Sequence, residues 1–153
     1  MVRLLLLCLA LTACVPAGGE LSTPATGLTG SYSRQVVISD HPHHVLYGHV
    51  VDITDGDTRA RALIVSHRRD GVHRLRFYEA STTARDLPYR RMNRRLGCTH
   101  GHCRNDAVGM ILLGDAMIAR ARQDGLDASL VGPTGRIDIH APAELFTALT
   151  QPP

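Results

Sequence analysis

Between residues 34 and 80, apolar and polar positions alternate with the period of a β-strand. "RQVVISD" (34–40) predicts a short strand, and "VLYGHVVDI" (45–53) and "TRARALIVSH" (58–67) predict longer ones on either side of "TDGD". "VHRLRFYEA" (72–80) follows "RRDG" and predicts one more. Leu63 and Val65 share a face of their strand, as do Leu75 and Phe77, while Arg74, Arg76 and Tyr78 take the opposite face. Asp55-Gly56 and Asp70-Gly71 are strong hairpin signals, because glycine accepts the positive φ of a tight turn. The first half therefore predicts an antiparallel meander with one wetter face.

The pattern changes after residue 100. "AVGMILL" (107–113) is a continuous apolar run, and Gly109 and Gly114 argue against a long helix there. It predicts a strand buried on both faces. Asp115 is placed to cap a helix over "AMIARARQD", with Met117, Ile118 and Ala121 on one side and Gly125 as the stop. "DASLVGPTGRIDIH" (127–140) predicts a hairpin around Pro133-Thr134-Gly135, and "PAELFTALT" (142–150) a short closing helix with Pro142 at its start. The fold class expected is mostly β with two short helices, an α+β, antiparallel sandwich-like domain.

The N-terminus follows different rules. "MVRLLLLCLALTAC" carries one cation, a short apolar run and a small-residue exit, the make-up of a secretory signal. The run falls short of the roughly 20 apolar residues that span a bilayer, and no later segment approaches that length. Leu11-Thr12-Ala13-Cys14 resembles the lipobox of bacterial lipoproteins. That resemblance implies cleavage before Cys14, a diacylglycerol on its thiol and acyl chains of the palmitate kind on the mature end. Two or three such chains make a stable anchor where one holds only marginally. Val15 stands where an aspartate is associated with inner-membrane retention, so the resemblance implies the outer membrane, with the domain facing the periplasm or the cell surface. The expected organisation is a signal peptide over 1–13, a lipidated flexible tether over 14–33 and one β-rich envelope domain over 34–153. The tether composition, "VPAGGELSTPATGLTGSYS" (15–33), offers little to bury.

Export decides how "LGCTHGHC" (96–103) is read. Cys8 leaves with the signal and Cys14 is acylated, so Cys98 and Cys103 remain of the four cysteines. Outside the cytoplasm an even, closely spaced pair predicts a disulfide, which for a loop of about six residues contributes around 2 kcal/mol. Zinc held by Cys98, His100, His102 and Cys103 would need four ligands within six positions, tight for a tetrahedron.

The chain has 153 residues, a net charge of +3 and no tryptophan; all seventeen basic residues are arginines. Five of them fall in "RDLPYRRMNRR" (85–95) against one aspartate. Arginine binds phosphate and carboxylate in a bidentate manner, so Arg90, Arg91, Arg94 and Arg95 are candidate contacts to an anionic envelope partner: lipid headgroup, acidic glycan or protein. The bland alternative is a solvated connection whose arginines pair with neighbouring acids. The compartment excludes nucleic acid. Nine histidines, among them His41, His43 and His44 in "HPHH", keep open a copper or zinc site using His43, His44, His100 and His102. "DITDGD" (52–57) lacks the twelfth-position glutamate of a calcium loop and reads better as a turn.

From Gly97 to Leu149 the chain resembles the C-terminal part of invasion-associated locus B-type proteins, small proteobacterial envelope proteins. The matching pieces are Gly97-Cys98 to Cys103, "VGMILLGDAMIARARQDG", "ASLVGPTGRIDIHAP" and "ELFTAL". The resemblance covers about a third of the chain, implies a sandwich-like envelope fold and supplies no catalytic residues. No Gly-x-Ser-x-Gly elbow, His-Glu-x-x-His or phosphate-cradling glycine loop is present. The expected function is a non-enzymatic outer-membrane lipoprotein that binds an envelope partner or serves structurally, with no cofactor. The alternative is a lipid-anchored copper- or zinc-binding protein. The sequence does not fix an oligomeric state.

Overall fold

The computed structural model describes residues 18–23, 27–41, 44–68, 75–99, 102–133 and 135–147. Residues 1–17, where a signal and Cys14 acylation are expected, His43, His100 and the expected turn at Asp70-Gly71 lie outside these residues. The described strands are β1 (Gly19–Thr23), β2 (Leu28–Tyr32), β3 (Val36–His41), β4 (His44–Asp55), β5 (Thr58–Arg68), β6 (Glu79–Ser81), β7 (Asp86–Leu87), β8 (Tyr89–Thr99), β9 (His102–Leu112), β10 (Leu126–Gly132) and β11 (Gly135–Ala141). The helices are α1 (Asp115–Asp124) and α2 (Glu144–Thr147). The protein is mostly β, with antiparallel sheets and two short helices, as the alternation predicts.

The larger sheet runs β1-β2-β4-β5-β9-β8, with β3 also paired to β4; the smaller runs β11-β10-β6-β7. One apolar core lies between them. Leu46, Val50, Leu63, Val65 and Ile111 enter it from the large sheet, and Ala80, Leu130, Ile137 and Ile139 from the small one. Ile118 and Ala121 of α1 and Leu145 and Phe146 of α2 close it. The β4–β5 hairpin turns at Gly56, whose φ of 56° is the left-handed conformation expected of Asp55-Gly56.

Four expectations change. The sheet begins before residue 34, because β1 and β2 pair with each other and β2 with β4 (Tyr32 opposite Val51). Turn-rich composition concealed a hairpin that needs only Leu21, Leu28 and Tyr32 as apolar contributors. Second, residues 72–80 do not add a strand beside β5, whose neighbour is β9. The alternation is right, with Phe77 buried and Arg76 and Tyr78 exposed, but the partner is the small sheet. Tyr78 N–H donates to Val131 O (2.9 Å), and the backbone of Arg76 and Phe77 lies so close to Gly132 that a Cβ there would clash. Burying Phe77 contributes roughly 1.5–3 kcal/mol, more than the ~1 kcal/mol of a net ladder hydrogen bond. The segment therefore follows its phenylalanine.

Third, 85–95 is not a solvated connection. It forms β7 and the start of β8, and β8 is the edge of the large sheet. "LGCTHGHC" correspondingly lies mostly in strand, with only residues 100 and 101 between β8 and β9. Fourth, Gly114, not Asp115, occupies the N-cap of α1, with no side-chain cap. Asp115 is the first helical residue, and its carboxylate pairs with Arg61 of β5 while complementing the helix dipole. The stop at Gly125 is as expected: φ is 78°, and its N–H donates to Ala121 O at 2.9 Å.

Candidate functional site

Two surfaces carry chemistry. The first is the outer face of the large sheet. Strand alternation sends Val50, Leu63 and Ile111 to the core, so their neighbours Val51, Ala62, Ile64 and Leu112 project outward. Ladder register aligns them in rows. One row is Tyr32, Val51, Ala62 and Leu112; the next is His49, Ile64, Met110 and Arg90. Val51, Ala62, Ile64, Met110 and Leu112 cluster with Ala107, Ile53 and Met92, all large-sheet residues, and Val51, Ala62, Ile64 and Ala107 are buried in it. Tyr32 and Val37 on this face are exposed. His49 sits half-buried opposite Ile64, and burial lowers its imidazole below the ordinary range.

Strand register separates Arg90 from Arg91. Arg90 stands opposite Met110 in the outward row, whereas Arg91 stands opposite Gly109 and its guanidinium lies 5.5 Å over the Tyr78 ring, on the other side of β8. Beyond a bulge between Arg91 and Arg94, Arg94 is opposite Ala107 and Arg95 opposite Asp106. The period of two in "YRRMNRR" puts Arg90 and Arg91 on opposite faces of the strand, a separation that a solvated connection would not impose. Tyr89 fixes this edge: its ring covers Gly109, its hydroxyl donates to Val108 O (3.1 Å), and burial pushes its pKa up to about 12.

Cys98 and Cys103 are directly opposed register partners near the end of β8 and β9. Of the metal candidates, His44 begins β4 with its ring stacked on His41 (4.5 Å between centroids), and His102 begins β9, with β5 between those strands. Among the described residues no group of three or more His, Cys, Asp or Glu side chains is arranged to hold a metal ion. No helix among them is long and apolar enough to cross a membrane.

The second surface was not anticipated. The outward positions of β10 and β11 bring polar residues together in cross-strand pairs: Asp127 with His140, and Ser129 with Asp138. His140 Nδ1 and Asp127 Oδ1 are 2.6 Å apart. Ser129 Oγ donates to Asp138 Oδ1 (2.6 Å) and accepts from Arg136 Nη2 (2.7 Å), while Arg136 Nε donates to the same carboxylate (3.1 Å). The Ser129 hydroxyl and Arg136 hold the Asp138 carboxyl below its usual range. These groups line a groove of about 430 Å³, within the size range of ligand sites. Its lip is the 81–83 segment, where Thr82 N–H donates to Arg85 O and Thr82 Oγ1 accepts from Arg85 N–H. The sequence signal for this groove was available in "LDASLVG" and "GRIDIHA", whose alternate residues are polar on both strands. No family model, curated protein or solved structure matches the chain.

Proposed function

We propose that the chain is a non-enzymatic lipoprotein of the outer membrane, anchored through acylated Cys14, whose folded part binds an envelope partner, protein or glycan. The observation that carries the binding role is the groove over β10 and β11. Its donors and acceptors are already paired, so they are pre-oriented for the hydroxyl and amide groups of such a partner. Arg90 and Arg91 of the Arg-rich strand stand on opposite faces of β8, so they would contribute separately.

The non-enzymatic reading has a chemical basis. A nucleophilic serine needs a base that takes its proton. Ser129 instead directs its hydroxyl at Asp138, a carboxylate whose basicity is lowered by two hydrogen bonds, while His140 is engaged with Asp127. The test compares binding of envelope protein and purified cell-wall fractions by the native chain and an Arg136→Ala/Asp138→Ala variant that retains its circular dichroism. Binding by the native chain and its loss in the variant is expected. Equal binding by both, or by neither, would overturn the groove as the binding site.

The copper or zinc reading has one observation behind it, the stacked rings of His41 and His44. Equilibrium dialysis against either ion, with a His44→Ala/His102→Ala variant as control, decides it. Uptake below one ion per chain removes it.

A further inference from the structure

The tether and the outer face of the large sheet belong together. Residues 15–18 are all that separates Cys14 from β1, so the span from Cys14 to Gly19 is at most about 18 Å fully extended. A domain held on so short a leash stays beside the surface that holds the leash. β1 is, moreover, an edge of the large sheet, and Gly19 is the register partner of Tyr32, which heads the outward apolar row.

That row and the next present Met110 and Leu112, partly exposed over the buried Val51 and Ile64, and no other described element contributes to their cluster. Tyr32 is 36% exposed and Val37 48%. Tyrosine is enriched where one end of a side chain meets hydrocarbon and the other meets headgroups. Arg90, exposed at the β8 end of the same face, is suited to a lipid phosphate. Asp40 and Asp55, the carboxylates that fall on this face by register, stand at the ends of their strands. The outward positions of β10 and β11 lie across the core from this face, and the groove they line reaches Ile38 of β3 at the sandwich edge.

We infer that the outer face of the large sheet rests on the phospholipid surface in which the Cys14 anchor is planted, so that the outward polar positions of β10 and β11 point away from the bilayer. The occupant is an anionic bilayer surface; a second copy of the chain and a protein partner are the competing occupants. The inference rests on the lipid-anchor reading and deepens it.

The chain has no tryptophan, so a single introduced one reports its own surroundings. Full-length protein purified from membranes, carrying Tyr32→Trp or Tyr78→Trp, is placed in phosphatidylglycerol-containing vesicles whose phospholipids are brominated along the acyl chain. Mass spectrometry first reads the state of Cys14. With Cys14 acylated, Tyr32→Trp should lose most of its emission to bromine and Tyr78→Trp should keep its own. Adding Arg90→Glu should relieve part of the Tyr32→Trp quenching. If Cys14 is acylated and the two tryptophans are quenched alike, or neither is, the docking is wrong and the anchor stands. If Tyr32→Trp is shielded without quenching and the protein runs as a dimer, the face is an interface between copies. An unmodified Cys14 overturns both the anchor and the docking.

Discussion

Asp52 is a buried carboxylate in the large sheet, and Arg59 holds it through two contacts, Nε to Oδ1 (2.8 Å) and Nη2 to Oδ2 (2.5 Å). Arg59 itself is 60% exposed, so its value lies in what it satisfies, not in its own burial. Arg59→Ala should cost about 1–2 kcal/mol, the order expected when a buried acceptor loses its partner, read as a lowered urea midpoint with an unchanged slope. Tyr89→Phe removes the hydrogen bond to Val108 O and should cost about 0.5–1.5 kcal/mol. Gly109→Ala should cost more, because its Cβ would enter the Tyr89 ring, and overpacking of this kind runs to about 1–3 kcal/mol. His49 adds a pH dependence of known sign. Its folded-state pKa lies below the unfolded value of about 6.5, since burial disfavours the charged ring. The unfolded chain therefore takes up a proton first as pH falls. Stability should be level above about pH 6.5 and decline below it until the folded ring also protonates. Melting temperature against pH should show this slope in the native chain and a shallower one in His49→Gln.

At the scale of elements, β8 and β9 carry the clearest expectation. Only residues 100 and 101 join Thr99 to His102, and Cys98 faces Cys103 one pair further from the turn. In a two-residue hairpin the pair next to the closing one lacks mutual hydrogen bonds, with Cα atoms ~4.5 Å apart. That falls within the span a disulfide accepts. The oxidised chain should weigh two hydrogens less than the reduced one, and reduction should lower stability by around 2 kcal/mol. Elsewhere strand identity is legible from local alternation, and element ends from glycine: Gly56 and Gly125 have the positive φ expected of a turn and a helix stop. Pairing was not legible. Leu75 and Phe77 announce a face, but alternation says nothing about which sheet that face serves, and a long-range contact with Gly132 decided it. The arginines of β8 hid a strand because charge was read as solvation. At a sheet edge, charge and a bulge also keep the free backbone from pairing with another chain.

For the whole molecule, the class of the fold followed from the pattern, while the order of strands in the sheets and the boundary of the domain did not. The β1–β2 hairpin is built of Gly, Ser, Thr and Glu20 with three apolar side chains, too few to register as structure without the sheet they join. Deleting residues 15–32 should bare the C-terminal half of β4 and the row beginning at Val51, leaving a long apolar edge. Such a chain should elute as large aggregates in size-exclusion chromatography, where the chain starting at Val15 elutes as a defined species. The groove over β10 and β11 went unseen for a related reason. Ser129, Asp138, Arg136 and His140 are unremarkable one at a time, and only cross-strand register makes neighbours of them.

β2 and β3 share the same flank of β4, and the fork between them is pinned at Ser33, whose N–H donates to Val50 O while its hydroxyl accepts from Val50 N–H, both at 2.8 Å. A pull applied from the amino end meets Gly19 and Tyr32 first and opens the β1 ladder pair by pair, in the manner of a zip rather than a shear. It then has to break the buried Ser33 clasp before it can reach β3. The first hairpin can thus yield and re-form under load while the core-bearing sheet keeps its shape.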